Sequence, residues 1–206
     1  MQHGANGGHP FTEGNAWQYF WYEPHDMEAL VELTGGRKSF EQKLDTFFIL
    51  DAKREYHNQN VSGEIGQYAH GNEPSHHVAL LYNYAGRPDK TADMVNRIMT
   101  TLYDNTSAGY AGNDDCGEMS AWYVFNALGF YPVDPASGEY AIGTPMFDRA
   151  VIHLPSGKDF TVTASRRSPA DHRVKSMDLN GRKHMALTVS HDDIMAGGSL
   201  HFSLKK

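Results

Sequence analysis

The chain has 206 residues, 18 lysine and arginine side chains against 25 carboxylates, a formal charge of −7 and one cysteine, Cys116. That length suits one or two domains burying roughly two-thirds of the unfolded surface, so a real core is expected. The acidic balance has no basic block for a phosphate backbone, no apolar run approaches the ~18 residues of a bilayer span, and a lone cysteine forms no internal disulfide. Neither nucleic acid nor a membrane span is expected.

The chain begins with the polar stretch MQHGANGGHP, which has no hydrophobic signal core. Next, FTEGNAWQYFWYEPHD sets Glu13 beside Gly14 and ahead of Trp17, Tyr19, Trp21 and Tyr22. A carboxyl among aromatics is desolvated, which raises its pKa and suits a general acid, and sugars bind on aromatic faces. Glu13 is equally placed to cap the helix that NAWQY begins, and both readings stand at this point. In HDMEALVELTGG, Asp26 caps a helix that the Gly35-Gly36 pair stops. RKSFEQKLDTFFILDA then places Phe40, Leu44, Phe47 and Phe48 on one helical face, with Ser39 as its cap. A polar, glycine-bearing loop is expected from about Tyr56 to Gly71.

NEPSHHVALLYNYAGRPDKTADMVNRIMTTLYD predicts two more helices, with Pro74 near a first turn, GRPD as the break, and Arg87 and Lys90 decorating the turn. Glu73 at a helix start is favoured by the dipole, so capping is one explanation. Beside it, an Asn72 carbonyl next to a Glu73 carboxylate is a set of hard oxygen ligands of the kind calcium accepts. His76 and His77 diverge by about 100° on a helix and cannot share one ion on a single face. GYAGNDDCGEMSAWYVFNALGFYP presents Asn113, Asp114 and Asp115 just before a fifth helix, expected to be buried, that starts near Glu118. One of the acids caps that helix; a close pair is also the arrangement in which environment separates acid from base. Cys116 between Asp115 and Glu118 has its thiolate disfavoured by like charge.

After Tyr131-Pro132 the texture changes to short β-branched runs split by Pro, Gly and NG signals, which predicts an antiparallel β segment of about six strands with a hairpin at Asn180-Gly181. The division expected is residues 1–133, helical, and 134–206, a β segment packing on it.

TEGNAWQYFWYEPHD, GNEPSHHVALLYNYAGRP and GYAGNDDCGEMSAWYVFNALGFYPVDPASGEYAIGTP closely resemble glycoside hydrolase family 92, the calcium-dependent exo-acting α-mannosidases. The resemblance implies a mainly α chain with C-terminal β, part of an (α/α)6 helical toroid whose N-terminal β-sandwich domain is missing here. It implies Glu13 as general acid, Asp115 as the base that activates water for inversion, and Asn72 and Glu73 in the calcium-binding stretch. Trp17, Asn113 and Asp114 fall with the substrate-binding positions; some members carry a second aspartate at the position of Asn113. The substrate implied is a mannose-containing glycan met in the periplasm or outside the cell. The alternative is a non-catalytic, calcium-dependent carbohydrate-binding or assembly fragment of a larger mannosidase.

Overall fold

The computed structural model describes residues 11, 14–50 and 62–206, and helices give way to β-structure where the sequence changes texture. Helix α1 (Ala16–Tyr19) starts at Asn15, whose Oδ1 accepts the amides of Trp17 at 2.8 Å and Gln18 at 3.1 Å, while Gln18 Oε1 accepts the Asn15 amide at 2.9 Å. This reciprocal cap satisfies donors that so short a helix cannot pair internally. Helix α2 (Met27–Leu33) is capped by Asp26 Oδ1, which accepts the Ala29 amide at 3.0 Å. It ends as expected, the Gly35 and Gly36 amides returning to the carbonyls of Glu32 and Val31, each at 2.9 Å. Helix α3 (Arg37–Ile49) buries the predicted face of Phe40, Leu44, Phe47 and Phe48. Its start differs: Gly36, with φ 89°, reverses the chain directly, so α3 begins at Arg37 and Ser39 lies inside the first turn instead of capping it.

Three expectations give way to the packing. Residues 62–71 are not a solvated loop; β1 (Glu64–Ile65) and β2 (Tyr68–Ala69) form a hairpin whose Tyr68 ring packs on Phe48 at 5.4 Å, so it belongs to the core, while residues 56–61 lie outside the described residues. The stretch after Asn72 is not an α-helix but two 3-10 turns, Glu73–Ser75 and Val78–Asn83. Every side chain of Val78–Asn83 is buried, so no single face governs the winding. Helix α5 (Glu118–Leu128) is buried on one face only: Met119, Trp122, Asn126 and Ala127 are inside, but Val124 is 56% exposed.

Between them, α4 (Pro88–Thr101) begins at the predicted break. Arg87 forks onto Asp89 at 2.9 and 2.6 Å and reaches Glu41, and Lys90 meets Asp45 at 2.6 Å and Glu41 at 2.7 Å, so these cations clamp the turn onto α3.

The remaining elements are β3 (Phe130–Tyr131), β4 (Glu139–Ile142), β5 (Arg149–His153), β6 (Asp159–Ser165), β7 (Arg173–Leu179), β8 (Arg182–His184), β9 (Thr188–Ser190), α6 (His191–Met195) and β10 (Gly198–Lys205). Among the described residues the strands align as β3-β4-β9 and β5-β6-β10-β7-β8. Asn180 and Gly181, at φ 52° and 73°, form the expected two-residue hairpin between Leu179 and Arg182. The segment is not wholly antiparallel: β10 lies between β6 and β7, which run in opposite directions, so pairing antiparallel to β7 makes it parallel to β6. Arg173 holds Asp93 of α4 through two bonds of 2.7 Å, tying the larger sheet to the helices. Buried apolar side chains gather in two clusters, one around Trp21, Phe47, Leu80 and Trp122, the other around Phe130, Phe160 and Phe202.

Candidate active site

Two loops that lie about forty residues apart in the chain meet beside α1. The first leaves β2 through His70 and Gly71 into Asn72 and the Glu73–Ser75 turn. Asn72 is 3% exposed, and neither its amide side chain nor the half-buried Glu73 carboxylate makes a side-chain bond among the described residues. Helix α1 packs against this turn, and the His77 Nε2–H donates to the Trp21 carbonyl at 2.7 Å just beyond α1. Burial lowers the His77 pKa to about 4, against the pull of that carbonyl, so the ring is neutral.

The second loop enters α5. Asp114 Oδ1 accepts both the amide and the hydroxyl of Ser120 at 2.9 Å, and the Asp114 carbonyl accepts the amides of Gly117 and Met119. Asp114 therefore caps α5 from outside and is committed to holding the turn. Asp115 and Cys116 follow at φ 45° and 60°, two successive non-glycine residues in the left-handed region. Such a pair costs on the order of 1–2 kcal/mol per residue and persists only where its surroundings over-determine it. The product of the strain is an exposed Asp115 carboxylate with no side-chain partner among the described residues. Of the two acids, the first builds the turn and the second is presented by it.

Three contacts fix one loop on the other. Gly71 and Gly112 approach so closely that a Cβ on Gly112 would lie 3.0 Å from Gly71 Cα. His76 spans from the His70 carbonyl, 2.9 Å from its Nε2, to Glu118 Oε1, 3.1 Å from its Nδ1. The Trp122 indole donates to the His76 carbonyl at 2.9 Å. Beneath them runs an ordered chain: the Tyr68 hydroxyl donates to His70 Nδ1 at 2.6 Å, His70 Nε2–H to the Tyr103 oxygen at 2.6 Å, and the Tyr103 hydroxyl to the Met119 carbonyl at 3.1 Å. Burial lowers the His70 pKa to about 2, in keeping with the neutral tautomer this chain requires.

The structure thus brings the loop carrying Asn72 and Glu73 against the loop carrying Asn113, Asp114 and Asp115. Glu13 lies outside the described residues, but Asn15 caps α1, so that helix needs no cap from Glu13. Among the described residues the Trp17 ring sits 5.0 Å from Lys43 Nζ and lines a groove of about 570 Å³ with Phe20, Leu33 and Gln42. No group of three or more His, Cys, Asp or Glu side chains suited to an ion exists among the described residues. The donors at Asn72 and Glu73 are an amide oxygen, a carboxylate and backbone carbonyls, hard oxygens that fit calcium and not a soft-ligand metal. Sequence reasoning missed His76 and Glu118 as partners, because a separation of 42 residues leaves no periodic signal.

A model of the glycosyl hydrolase family 92 catalytic domain matches residues 1–206. A protein of Arthroderma benhamiae described as an uncharacterized secreted glycosidase is 32% identical over 200 residues, covering 94% of this chain and 24% of that protein. Among solved structures, a family GH92 α-mannosidase from Bacteroides thetaiotaomicron in complex with mannoimidazole superposes with a TM-score of 0.93 at 38% identity, over 99% of this chain and 27% of its own. A family GH92 inverting mannosidase from Bacteroides thetaiotaomicron VPI-5482 gives 0.84 at 38% identity, over 100% of this chain and 29% of its own. The chain spans about a quarter of the length of these relatives.

Proposed function

The chain belongs to glycosyl hydrolase family 92, and from that premise we propose that the protein carrying it hydrolyses terminal α-linked mannose from glycans by calcium-assisted inversion. The observation that supports the proposal is the pairing of the loop that carries Asn72 and Glu73 with the turn that presents the strained, unpartnered Asp115, through Gly71 against Gly112 and His76 against Glu118. Similarity to an α-mannosidase and to an inverting mannosidase supports the substrate class and the stereochemistry.

In this reading Asp115 accepts a proton from water as the water oxygen attacks the anomeric carbon. Glu13 gives its proton to the departing glycosidic oxygen as the bond to that carbon breaks. Exchange with solvent then deprotonates Asp115 and reprotonates Glu13. Inversion needs the two carboxyl groups roughly 6.5–9.5 Å apart, with room for water between Asp115 and the sugar. Asn72 and Glu73 would hold the calcium, which supplies a hard positive charge for adjacent sugar hydroxyls when bound. In the same reading Asp114 keeps the turn in shape, and Asn113 and Trp17 contact the substrate.

We also infer that residues 1–133 are a segment of an (α/α)6 toroid and that 134–206 pack on it. The two core clusters, meeting at Phe130, Val133, Ala141 and Ile142, support that division. The partner proposed is an N-terminal domain of the same protein, which the shares of 24% to 29% favour. A periplasmic or secreted location is favoured by the description of the fungal relative; among the described residues no helix is long and apolar enough to cross a membrane.

The same shares motivate a second reading, a calcium-dependent sugar-binding or assembly unit without turnover. Mannose release from an α-mannobioside, measured with and without a calcium chelator, separates the two. Chelator-sensitive release supports hydrolysis, whereas calcium-dependent binding without release supports the second reading.

A further inference from the structure

The strained turn hangs on one residue. Asp114 takes the Ser120 amide and hydroxyl on Oδ1, each at 2.9 Å, and its carbonyl takes the amides of Gly117 at 3.1 Å and Met119 at 3.3 Å. The remaining backbone closure, from the Glu118 amide to the Asp115 carbonyl, is 3.4 Å long, near the limit of a hydrogen bond. Among the described residues the side-chain bonds made by residues 113–117 all belong to Asp114. Where Asp115 points therefore depends on what fixes Ser120.

Ser120 has a second partner in Tyr110, whose hydroxyl lies 2.8 Å from Ser120 Oγ. A serine hydroxyl has one hydrogen, and that of Ser120 goes to Asp114, so Tyr110 is the donor and Ser120 Oγ the acceptor. The bonds run one way, from Tyr110 through Ser120 to Asp114. A hydroxyl that accepts one bond donates the next more strongly, so each supports the other.

Tyr110 is itself held. It closes the loop that leaves Tyr103 as an antiparallel bridge, inside which the Asp104 amide bonds the Gly109 carbonyl at 3.1 Å and Asp104 Oδ1 accepts the Thr106 amide and hydroxyl at 2.8 and 2.6 Å. A Cβ on Gly109 would lie 2.2 Å from the Asp104 carbonyl oxygen, so this closure needs glycine just before Tyr110. The Tyr110 ring meets Tyr103 edge-on at 5.8 Å, and the Tyr103 hydroxyl donates to the Met119 carbonyl at 3.1 Å. Tyrosines at the two ends of one loop thus grip consecutive residues, Met119 and Ser120, in the first turn of α5.

We propose that Tyr110 is a positioning residue which, through Ser120, locks Asp114 and sets the direction in which the turn presents Asp115. Without the Tyr110 bond the Ser120 hydroxyl is free to turn toward the backbone carbonyl four residues back, that of Cys116, and Asp114 loses part of its hold. Tyr110→Phe removes that one bond and keeps the ring against Tyr103.

This role rests on the proposed hydrolysis, and its test separates the two. In the protein carrying this chain, kcat and KM for release from an α-mannobioside are measured for wild type, Tyr110→Phe, Ser120→Ala and the double variant. Tyr110→Phe lowers kcat about two- to ten-fold, the shift in population that one hydrogen bond controls, with KM unchanged. Ser120→Ala lowers kcat further, and the double variant matches Ser120→Ala, because Tyr110 acts only through that hydroxyl. Wild-type kcat in Tyr110→Phe, a change confined to KM, or a double variant whose loss is the product of the two single losses overturns the role given to Tyr110. If no form releases mannose, the proposed function fails, and amide exchange across residues 114–120 still decides the role of Tyr110. Faster exchange in Tyr110→Phe supports it; unchanged protection overturns it.

Discussion

Replacing Gly71 with alanine puts a methyl group into the contact that joins the two loops. A Cβ at Gly71 lies 2.2 Å from Ser62 Oγ, 3.0 Å from the Ala111 carbonyl oxygen and 3.4 Å from Gly112 Cα. Ser62 Oγ has no hydrogen-bond partner among the described residues and can rotate aside, and Gly112 Cα is at ordinary contact, but the Ala111 carbonyl is backbone and must retreat by a few tenths of an ångström. Overpacking of this kind costs about 1–3 kcal/mol. For a chain of this length each kcal/mol lowers Tm by about 2–4 °C. The retreat also carries the Asp115 turn away from Asn72 and Glu73, and misplacement near 1 Å costs about a hundred-fold in rate, so kcat falls roughly ten-fold. Gly86→Ala is the control. It forces alanine to φ 75° with nothing within 4 Å, so it costs about 1 kcal/mol of backbone strain far from the site and leaves kcat unchanged. Calorimetric Tm and kcat are measured on both variants. A Gly71→Ala protein with wild-type Tm and kcat, or one that loses only as much activity as Gly86→Ala, refutes the argument that this approach positions the turn.

Glu13→Gln and Asp115→Asn each lower mannose release by about 10²–10⁴, the usual worth of a general acid or base, and near-normal turnover in either removes the role assigned to it. Glu73→Gln raises the calcium concentration needed for half-maximal release at least ten-fold, read by titrating metal into chelator-treated protein; an unshifted requirement moves the ion elsewhere. Asp114→Ala loses the cap on α5 and lowers unfolding free energy by about 1 kcal/mol in urea titration, an unchanged midpoint showing that Ser120 does not need it. His70 and His77 fix the acid side of stability. Their folded pKa values, about 2 and about 4, lie below the ordinary 6.5, so the unfolded chain binds more protons as pH falls. Stability is complete above about pH 6.5 and declines below it, by up to about 2.7 kcal/mol per pH unit near pH 5, where both contribute. Urea midpoints equal at pH 7 and 5 would show that both rings charge within the fold.

Local chemistry wrote much of this structure into the sequence. Asp26, the Gly35-Gly36 stop, Pro88 and Asn180-Gly181 act on residues within one turn of themselves, and each does what its side chain or missing amide dictates. The Val78–Asn83 turn was not legible, since burial on all sides leaves no period to read. Nor was the parallel pairing of β10 with β6, which depends on a strand arriving last between two earlier ones. At the site, the oxygen-rich loop and the acidic turn were visible as residue types, and Asp114 and Asp115 as a pair. Which acid caps and which is presented depended on Ser120 and on two left-handed residues. Gly71 against Gly112 and His76 against Glu118 are contacts across about forty residues, carried by shape and by hydrogen bonding, and no local pattern announces them.

The account stands or falls most directly on the anomer first formed from an α-mannoside, followed by proton NMR before mutarotation. Attack by a water held at Asp115 on the face opposite the leaving oxygen yields β-mannose as the initial product. Initial α-mannose would mean a covalent sugar intermediate and carboxyl groups only ~5 Å apart, and would contradict the role given to Asp115.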